Sequence, residues 1–349
     1  NKDGSLSYEF RAEMSRKAFS ITAQYESNID RYLSHGALPE KLNLSYTKFQ
    51  DLRYGENPQQ QSSAYQDGSA YGILNSRIHQ GKQLSYNNIM DGDAAVSCLT
   101  EFNDPGCVVI KHANPCGAAI SDNIDNAFTR AIEADKLSAF GGIIALNREC
   151  TKFIANYLNN FFVEIIIAPA FSKGALDIFK NKKNLRVVEI HNLHDFKSDT
   201  SIRNIHGGLL LQQEDEIVLA PDTLKTVTQS TVDESLINTA CFGWSVLKYI
   251  KSNAILIAKD CATLSVGAGQ VSRVDSVDIA INKLNGNLDG AILLSDAFFP
   301  FRDSIDKIAQ AGIKTIVQPG GSVKDREVID ACNEFGIAML FTGSRCFRH

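Results

Sequence analysis

Residues 107–119 read CVVIKHANPCGAA, and this stretch does most to decide the fold. Residues 108–110 are two valines and an isoleucine, and such β-branched residues favour a buried strand. Pro115 predicts the end of that strand, because proline lacks an N–H group and keeps the residue before it extended. Lys111 and His112 are therefore expected at the C-terminal end of a strand, where open α/β sheets usually bind ligands. Taken alone, a Lys-His pair is more typical of a solvated surface, so the rest of the chain has to decide.

The sequence on both sides alternates strand-like and helix-like patterns, which predicts an α/β fold. The strand-like apolar runs are GGIIALN (141–147), VEIIIAPAF (163–171), AILIAKD (254–260), TLSVGAG (263–269), GAILLSD (290–296), IKTIVQ (313–318) and IAMLF (337–341). Helices are predicted over residues 7–33, where an apolar stripe recurs every three or four residues, and over residues 323–335. Asp122 and Asp233 are predicted to cap two more helices. Since both halves of the chain hold strands that alternate with helices, we expect two similar α/β layers.

The composition excludes several classes of protein. The 349 residues carry a net charge of -5 with a pI near 5.8, which argues against a general nucleic-acid binder. No apolar run approaches the roughly 18 residues that a membrane span needs, so no membrane partner is expected. The eight cysteines form no C-x-x-C pair and predict reduced thiols in the cytoplasm. The chain begins with Asn1 rather than methionine, and we expect it to be part of a longer polypeptide.

The Lys-His stretch partly matches the pattern of a zinc deaminase. That pattern is H-x-E followed by P-C-x-x-C, in which the histidine and two cysteines bind zinc and the glutamate transfers protons. Here Asn114 stands at the position of the glutamate, and Ala119 stands at the position of the second cysteine. Without a second thiolate or a carboxylate base, the stretch cannot assemble a catalytic zinc site. The sequence therefore predicts no zinc.

Two glycine-containing segments are weaker candidates for a phosphate site. GAG (267–269) follows a strand, as in dinucleotide-binding turns, but Ser272 occupies the third glycine position. An Arg273 side chain that faces an anion is the more economical hypothesis. The segment QPGGS (318–322) has the composition of a phosphate site at a helix N-terminus. Ser322 as an ordinary helix N-cap explains the same residues, and we favour that structural interpretation.

Nine separated segments, in order along the chain, resemble the aminoimidazole carboxamide ribonucleotide (AICAR) transformylase family. They are LRYGENP (52–58), KHANPCGAA (111–119), LSAFGGIIALN (137–147), IIIAPAF (165–171), SNAILIAKD (252–260), GAGQVSR (267–273), SDAFFPFRD (295–303), QPGGS (318–322) and CFRH (346–349). Nine motifs in register are far more specific than any one of them. This family forms one part of a bifunctional enzyme of purine biosynthesis, and the resemblance runs from about residue 5 to the last residue.

The resemblance implies a reaction and a fold. The reaction transfers a formyl group from 10-formyltetrahydrofolate to the 5-amino group of AICAR, which gives formyl-AICAR and tetrahydrofolate on the route to inosine monophosphate (IMP). The implied fold is a duplicated cytidine-deaminase-like α/β/α layer without zinc. The implied domains are a helical connector over residues 1–50 and two deaminase-like domains over residues 51–212 and 213–349.

The resemblance also implies partners. The family works in the cytoplasm as a tightly intertwined homodimer, in which residues of both subunits line each active site. An IMP cyclohydrolase domain is expected upstream in the full-length chain and is missing from these residues. Whether a monovalent cation such as K⁺ lies near the active site is left open.

The functional residues of the family map onto this chain position by position. The resemblance implies catalytic roles for Lys111, His112 and Asn253. The implied substrate-binding residues are Arg53 and Tyr54 at the phosphate and ribose, Phe140 and Gly141 where AICAR meets the pterin, Glu164 at the nucleotide, Arg273 beside the carboxamide, Phe298 and Asp303 at the folate, and Arg345 and His349 at a C-terminal anion-binding position that closes the site.

Two positions depart from the pattern of the family. Gln59 stands where the motif after RYGENP has histidine, and glutamine forms hydrogen bonds but does not titrate near neutral pH. Glu164 stands where some members have aspartate, which is one methylene shorter. The rival hypothesis is a degenerate domain that binds a nucleotide without turnover, and Gln59 is the one feature that favours it.

The predicted mechanism depends on the Lys-His pair. The amine of AICAR is a poor nucleophile, because its lone pair is conjugated through the imidazole to the carboxamide. His112 is the predicted base, and Lys111 is expected to keep that imidazole neutral and to stabilise the developing oxyanion. Asn253 is expected to hold the carboxamide, and Asp303 is expected to hold the folate ring.

Overall fold

The computed structural model describes residues 4–34, 38–193, 200–284 and 287–349. The chain divides into two compact units. The smaller comprises Asn1–Asp51, Ser63–Ser69 and Ser198–Asp215, and the larger comprises Leu52–Ser62, Ala70–Lys197 and Glu216–His349. Every residue to which the sequence assigns a site role lies in the larger unit.

The α-helices of the described residues are α1 (Tyr8–Leu33), α2 (Tyr86–Leu99), α3 (Ile124–Ala134), α4 (Lys136–Ala139), α5 (Lys152–Asn160), α6 (Lys173–Phe179), α7 (Glu234–Leu247), α8 (Arg273–Asn282), α9 (Asp303–Gln310) and α10 (Asp325–Glu334). Short 3-10 helices span Ile73–Asn75 and Pro221–Thr223. The strands are β1 (Thr47–Leu52), β2 (Ser62–Gln66), β3 (Arg77–Gln80), β4 (Gly106–Lys111), β5 (Asn114–Ile120), β6 (Ile143–Leu146), β7 (Ile165–Ala168), β8 (Arg186–Glu189), β9 (Thr200–Ile205), β10 (Gly208–Gln213), β11 (Lys225–Thr226), β12 (Ile255–Lys259), β13 (Ala262–Gly267), β14 (Ile292–Ser295), β15 (Thr315–Gln318) and β16 (Ala338–Phe341).

The smaller unit contains α1 and two two-stranded sheets, β1 with β2 and β9 with β10. α1 begins after Ser7, whose hydroxyl accepts a hydrogen bond from the N–H of Phe10 at 3.2 Å. Such a cap satisfies one of the N–H groups that the first turn of a helix leaves unpaired. The helix predicted over residues 7–33 is therefore confirmed to within one residue.

The larger unit is built around one twelve-stranded sheet with the order β11-β16-β15-β14-β12-β13-β5-β4-β6-β7-β8-β3. Its two halves meet where β5 pairs with β13, and outward from that seam they follow the same scheme. The two inner strands form an antiparallel hairpin, and the third strand is antiparallel to its hairpin neighbour. The fourth and fifth strands are parallel to the third, and the last is antiparallel. The α/β fold class and the predicted strands are confirmed.

Helices cover both faces of this sheet. Ile165 and Ile167 of β7 pack on the face that also buries residues of α2 and α7, whereas Ile166 packs with α3, α5 and α6 on the other face. In the second half, α8, α9 and α10 cover the face opposite α7. Alternate residues of a strand point to opposite faces, so a strand covered on both sides reads as a continuous apolar run. The run of three isoleucines in β7 has this cause.

The loop predicted after the Lys-His pair is wrong. The chain turns back at His112 and Ala113 and forms β5, which pairs antiparallel with β4 from Asn114 onward. Pro115 therefore lies near the start of a strand rather than beyond the end of one. It is opposite Ile110, where the register of the two strands shifts, and proline is tolerated at such an irregularity because the ladder does not need its N–H.

Two of the predicted caps are also corrected. The N-cap of α3 is Asn123 and not Asp122, because the side chain of Asn123 accepts the hydrogen bond from the first turn. The N-cap of α10 is Lys324, and the hydroxyl of Ser322 accepts a hydrogen bond from the N–H of Lys324 at 3.0 Å instead of capping the helix. Asp233 caps α7 as predicted.

The eight cysteines are all free, and Cys116, Cys241 and Cys261 are only partly buried. Within the described ranges no helix is long and apolar enough to cross a membrane. In the same ranges no group of three or more His, Cys, Asp or Glu side chains is placed to bind a metal ion.

Candidate active site

The Lys-His pair lies at a strained hairpin turn. His112 and Ala113 have φ angles of 51° and 56°, a left-handed conformation that residues with a Cβ atom adopt at some cost. Two side chains hold the turn. The carboxylate of Asp91 in α2 accepts a hydrogen bond from the N–H of Ala113 at 2.7 Å, and the amide of Asn114 donates to the carbonyl of His112 at 3.1 Å. The backbone of the turn that carries His112 is thus held by the side chains of Asp91 and Asn114.

Burial raises the pKa of Asp91 above the ordinary value for an aspartate. The hydrogen bond from Ala113 and the nearby side chains of His112 and Lys111 act in the opposite direction, and Glu164 adds to the rise. Desolvation disfavours a carboxylate, whereas N–H donors and cations favour it. Asp91 is therefore an acid that faces the predicted catalytic pair.

Lys111 faces the segment that joins α4 to β6. Its ammonium donates to the carbonyl of Phe140 at 3.0 Å. Gly141 has a φ of 71°, and a Cβ atom there would lie 3.1 Å from the lysine Nζ, so only glycine fits without moving the ammonium. The ring of Phe140 is 56% exposed and packs against Phe162 at a centroid distance of 5.4 Å. This combination gives an aromatic surface beside a cation.

Glu164 precedes β7 and is held by two neighbours. The amide of Asn88 in α2 donates to its carboxylate at 2.7 Å, and the guanidinium of Arg186 lies 3.7 Å away. Asn87, the neighbour of Asn88, donates to the carbonyl of Glu56 at 3.3 Å, in the loop that carries Arg53 and Tyr54. The guanidinium of Arg53 lies 5.5 Å from the centre of the Tyr54 ring. Gln59 is exposed in the same loop.

A cavity of about 780 Å³ opens in the second half of the sheet. Its walls come from the ends of β13, β14, β15 and β16 and from the C-terminal segment, and they contain Asn253, Val271, Ser272, Arg273, Val274, Ala297, Phe298, Pro300, Phe301, Asp303, Ser304, Pro319, Gly320, Gly343, Arg345 and Phe347. Five of the residues assigned from the sequence lie together in these walls: Asn253, Arg273, Phe298, Asp303 and Arg345. Clefts of this size with apolar walls and a few polar groups are typical of small-molecule sites.

Both the nitrogen and the oxygen of the Asn253 amide form hydrogen bonds within the protein. Its Nδ2 donates to the carbonyls of Gln270 and Val271, at 2.9 and 3.1 Å, and its Oδ1 accepts from the guanidinium of Arg273 at 2.7 Å. One lone pair of Oδ1 is left for a ligand, since an amide oxygen accepts two hydrogen bonds. Asn253 can therefore offer a ligand an acceptor, whereas both of its donors are already used.

The prediction that Arg273 faces an anion in the glycine turn is wrong. Its guanidinium is only 7% exposed and forms an ion pair with Asp296, whose side chain is fully buried. The same guanidinium donates to the carbonyl of Ala254 at 3.0 Å. A buried charge is stable only when a partner compensates it, and here the partner belongs to the protein. Arg273 thus orients Asn253 and is not free to bind an anion by itself.

Asp296 also holds the C-terminal segment. Its carbonyl accepts from the N–H of Cys346 at 3.1 Å, and its carboxylate accepts from the hydroxyl of Ser252. That hydroxyl in turn accepts from the N–H of Arg348 at 3.0 Å. The contacts keep Arg345 at the cavity, whereas His349 lies outside the cavity walls with its ring 5.6 Å from that of Phe347.

The two groups of site residues lie at one edge of the sheet. β4 ends there with Lys111, whereas β12 begins there after Asn253. The link between them is Asn114, whose Oδ1 accepts from the N–H of Lys251 at 3.0 Å. The structure brings Lys111, Phe140 and Gly141 into contact. It does not place Arg53, Tyr54, Glu164 or His349 in the cavity walls.

The sequence analysis does not identify three residues that have clear structural roles: Asp91, Asn114 and Asp296. Asp91 lies one turn after Asn88 in α2, and two polar residues so spaced on the side of a helix that faces the sheet are a usable signal. Asp296 directly follows a fully buried strand, Ile292–Ser295, whose first three residues are apolar, and this is a second signal. Asn114 has no such local signal, because its partner Lys251 lies in the other half of the sheet.

Two substitutions of Asp91 distinguish the effect of its charge on stability from the effect of its hydrogen bond with Ala113. A carboxylate whose pKa is raised by folding stabilises the fold below its unfolded value of about 3.9, and this contribution is lost as the pH rises through the folded value. Asp91→Asn keeps an acceptor and removes that loss. We expect its free energy of unfolding, relative to wild type, to be larger at pH 7.5 than at pH 4. Asp91→Ala removes the same pH-dependent loss but also leaves the Ala113 N–H without its acceptor, so it should be about 1 kcal/mol less stable than Asp91→Asn at both pH values. Urea unfolding at the two pH values measures both differences.

The arrangement at this edge of the mixed sheet is typical of an enzyme site in an α/β protein. Comparison with known proteins leads to the same class. A family model described as the AICARFT/IMPCHase bienzyme matches residues 1–283. The bifunctional purine biosynthesis protein PurH of Lactococcus lactis subsp. cremoris (strain MG1363) is 45% identical over 360 residues, which cover 99% of this chain and 70% of that protein. PurH of Caldicellulosiruptor bescii is 43% identical over 100% of this chain and 69% of its own length. The chain belongs to the AICARFT/IMPCHase bienzyme family.

Proposed function

We propose that this chain transfers the formyl group of 10-formyltetrahydrofolate to AICAR with the side chains at the active-site edge described above. As a member of its family, the chain is an AICAR formyltransferase of purine biosynthesis, as the sequence predicts. One observation supports this assignment of the site above all. Asn114, next to the Lys-His turn, accepts a hydrogen bond from Lys251 in the loop of Asn253, and this contact lies beside a cavity of about 780 Å³. One edge thus offers a base, a cation and an amide acceptor to two substrates.

His112 is the proposed base. It takes a proton from the 5-amino nitrogen of AICAR as that nitrogen attacks the formyl carbon, and the carbonyl oxygen becomes an oxyanion. The ammonium of Lys111 stabilises that oxyanion, and its hydrogen bond to Phe140 holds it on the same side as the proposed meeting point of the substrates. When the intermediate collapses, the C–N bond to N10 of the folate breaks and N10 takes up the proton. Atoms and charges balance without a metal or a redox partner.

Asn253 acts as an acceptor in this proposal. The free lone pair on Oδ1 accepts a hydrogen bond from an N–H of AICAR, either on the carboxamide or on the attacking amine. Asn253 acts only as an acceptor because its own N–H groups are bonded to carbonyls of the protein. Arg273 fixes the direction of that lone pair through its bond to Oδ1. An acceptor on the attacking amine would also turn the nitrogen lone pair towards the formyl carbon. The role of Asn253 is therefore orientation.

The remaining residues bind the two substrates in the proposal. Phe298 and Asp303 hold the folate in the cavity, by stacking and by hydrogen bonding to the pterin. Arg345 binds an anionic group, and His349 closes the site. Arg53 and Tyr54 hold the phosphate and ribose of AICAR, with Glu164 on the nucleotide side. Phe140 and Gly141 lie where the two substrates meet.

The proposal for the fold is a duplication. The two halves of the sheet share strand order and strand directions, and each hairpin turn holds two non-glycine residues with positive φ: His112 and Ala113 in one, Asp260 and Cys261 in the other. We assign one zinc-free deaminase-like copy to residues 51–212 and one to residues 213–349. Residues 1–50 are the helical connector.

Further features follow from the family and remain proposals for this chain. They are a homodimer with shared active sites, a location in the cytoplasm, a monovalent cation such as K⁺ near the site, and a cyclohydrolase domain upstream of these residues in the natural chain. Size-exclusion chromatography with light scattering tests the dimer. Activity in potassium against sodium buffers tests the cation.

The decisive assay is release of tetrahydrofolate from 10-formyltetrahydrofolate plus AICAR, followed by absorbance, with formyl-AICAR identified by mass. We expect turnover that requires both substrates and yields no IMP. A nucleotide-binding domain without turnover would bind AICAR but release no tetrahydrofolate at high protein concentration, and that result would reject the enzyme. The appearance of IMP would contradict the assignment of formyl transfer alone to these residues.

A further inference from the structure

Asn114 lies between the two groups of site residues, and the proposed mechanism does not use it. It is the first residue of β5, directly after the turn that carries His112. In the zinc-deaminase pattern this position holds the proton-transferring glutamate. An asparagine amide cannot transfer protons near neutral pH, so a different task has to explain it here.

Both ends of the Asn114 amide are bonded to backbone. Its Nδ2 donates to the carbonyl of His112 at 3.1 Å, and its Oδ1 accepts from the N–H of Lys251 at 3.0 Å. Lys251 is two residues before Asn253, and its carbonyl accepts from the N–H of Gly269 at 2.7 Å. One side chain therefore connects the turn of the base with the loop of the orienting amide.

The two bonded segments are far apart in sequence. His112 belongs to the first half of the sheet and Asn253 to the second, and the two halves pair at the seam of β5 and β13. The strands fix the halves relative to each other, but both residues lie just beyond strand ends, His112 after β4 and Asn253 before β12. The N–H of Asn253 donates there to the carbonyl of Gln270 at 3.1 Å, within its own half of the sheet. Asn114 supplies two hydrogen bonds at that point.

We propose that Asn114 is a positioning residue that sets the distance between the base His112 and the acceptor Asn253. The inference rests on the proposed roles of these two residues in formyl transfer. We assign the hydrogen bond from AICAR to Asn253 to the attacking amine rather than to the carboxamide, so Asn253 holds the same nitrogen whose proton His112 takes, and both have to reach one atom. A shift of about 1 Å between catalytic groups can cost up to a hundredfold in rate. A residue that fixes their separation affects turnover more than it affects the binding of either substrate.

A double-mutant cycle tests this coupling. We expect Asn114→Ala to lower kcat about tenfold and to change KM for AICAR by less than about threefold. Asn253→Ala alone should lower kcat as well. In the Asn253→Ala background, Asn114→Ala should change kcat by less than about twofold, because the distance it fixes no longer matters. A purely structural role predicts the full tenfold loss in both backgrounds, and that result would overturn the inference.

Thr263 offers a matched control. Its buried hydroxyl also joins the two halves, since it accepts from the N–H of Ala118 at 2.8 Å and donates to its carbonyl at 3.2 Å, but it lies away from the turn. Thr263→Val should lower the melting temperature without the loss of kcat seen for Asn114→Ala. Equal losses of kcat in both variants would count against positioning.

A further variant and the outcome for Asn253→Ala distinguish failure of the inference from failure of the proposed function. Asn114→Asp preserves the size of the side chain and the acceptor for Lys251, but it removes the donor to His112, because a carboxylate oxygen takes the place of Nδ2. It should lose kcat while the melting temperature stays near that of wild type, and it serves if Asn114→Ala does not fold. If Asn253→Ala keeps wild-type kcat, the proposed role of Asn253 fails and the inference fails with it. If Asn253→Ala is slow and Asn114→Ala is additive, the inference alone fails.

Discussion

Replacement of His112 by alanine is expected to lower kcat for formyl transfer by at least about a hundredfold, with a modest loss of AICAR binding. A positioned general base contributes about two to four orders of magnitude to the rate. The N–H of Ala113 and the carbonyl of His112 keep their partners in this variant, because both belong to the backbone. The loss should therefore come from the ring itself. Steady-state release of tetrahydrofolate measures it.

Two controls separate a missing base from a damaged turn. His206→Ala changes an exposed histidine in the smaller unit and should leave kcat within about twofold of wild type. Added imidazole should restore part of the activity of His112→Ala, since a small base can enter the space of the lost ring. A variant that retains near wild-type turnover without imidazole would show that another group removes the proton.

The second large effect is expected at Asp296, where Asp296→Ala should destabilise the fold by about 3–5 kcal/mol. Its side chain is fully buried, and its loss leaves the guanidinium of Arg273 in the interior without a compensating charge. The hydroxyl of Ser252 loses a partner at the same time. Urea unfolding followed by fluorescence is suited to the measurement, since Trp244 is the single tryptophan and is buried in α7.

The matched control is an ion pair of the same residue types on the surface. Arg302 and Asp306 lie 3.0 Å apart in adjoining turns, and their side chains are 41% and 36% exposed. Asp306→Ala should change the free energy of unfolding little, because exposed pairs gain little from their charges. If the two substitutions cost the same, burial of the Arg273–Asp296 pair would not be what makes Asp296 important for stability. Asp296→Asn, which keeps an acceptor, should fall between the two.

The strands of this fold could be predicted because burial on both faces leaves a continuous apolar run in the sequence. The seven runs identified there became strands, and β7 with its three isoleucines is the clearest case. The hairpin at His112 could not be predicted in the same way. Proline usually ends a strand, and the register shift opposite Pro115 explains why it is tolerated here as the second residue of β5. Local patterns report propensity, and tertiary pairing overrules it.

The partners of the site residues were the harder part. Arg273 was assigned an anion from its neighbours in sequence, whereas its actual partner, Asp296, is 23 residues away. Asp91 meets Ala113 across 22 residues, and Asn114 meets Lys251 across 137. Such pairs depend on how strands and helices pack, which no local pattern contains. The positions carried over by resemblance could be named in advance, but which of them touch each other could not.

The seam between β5 and β13 has a consequence for expressing parts of the chain. Residues 51–212 alone would leave β5 as an open edge, with Ala118 and Ala119, now fully buried, at its surface. Unpaired apolar edges recruit other strands, so such a fragment is expected to self-associate. In the intact chain the two edges are tethered, and their high effective concentration favours the native pair over pairing with a neighbour. The covalent link between the halves is thus expected to lower the tendency of each half to self-associate.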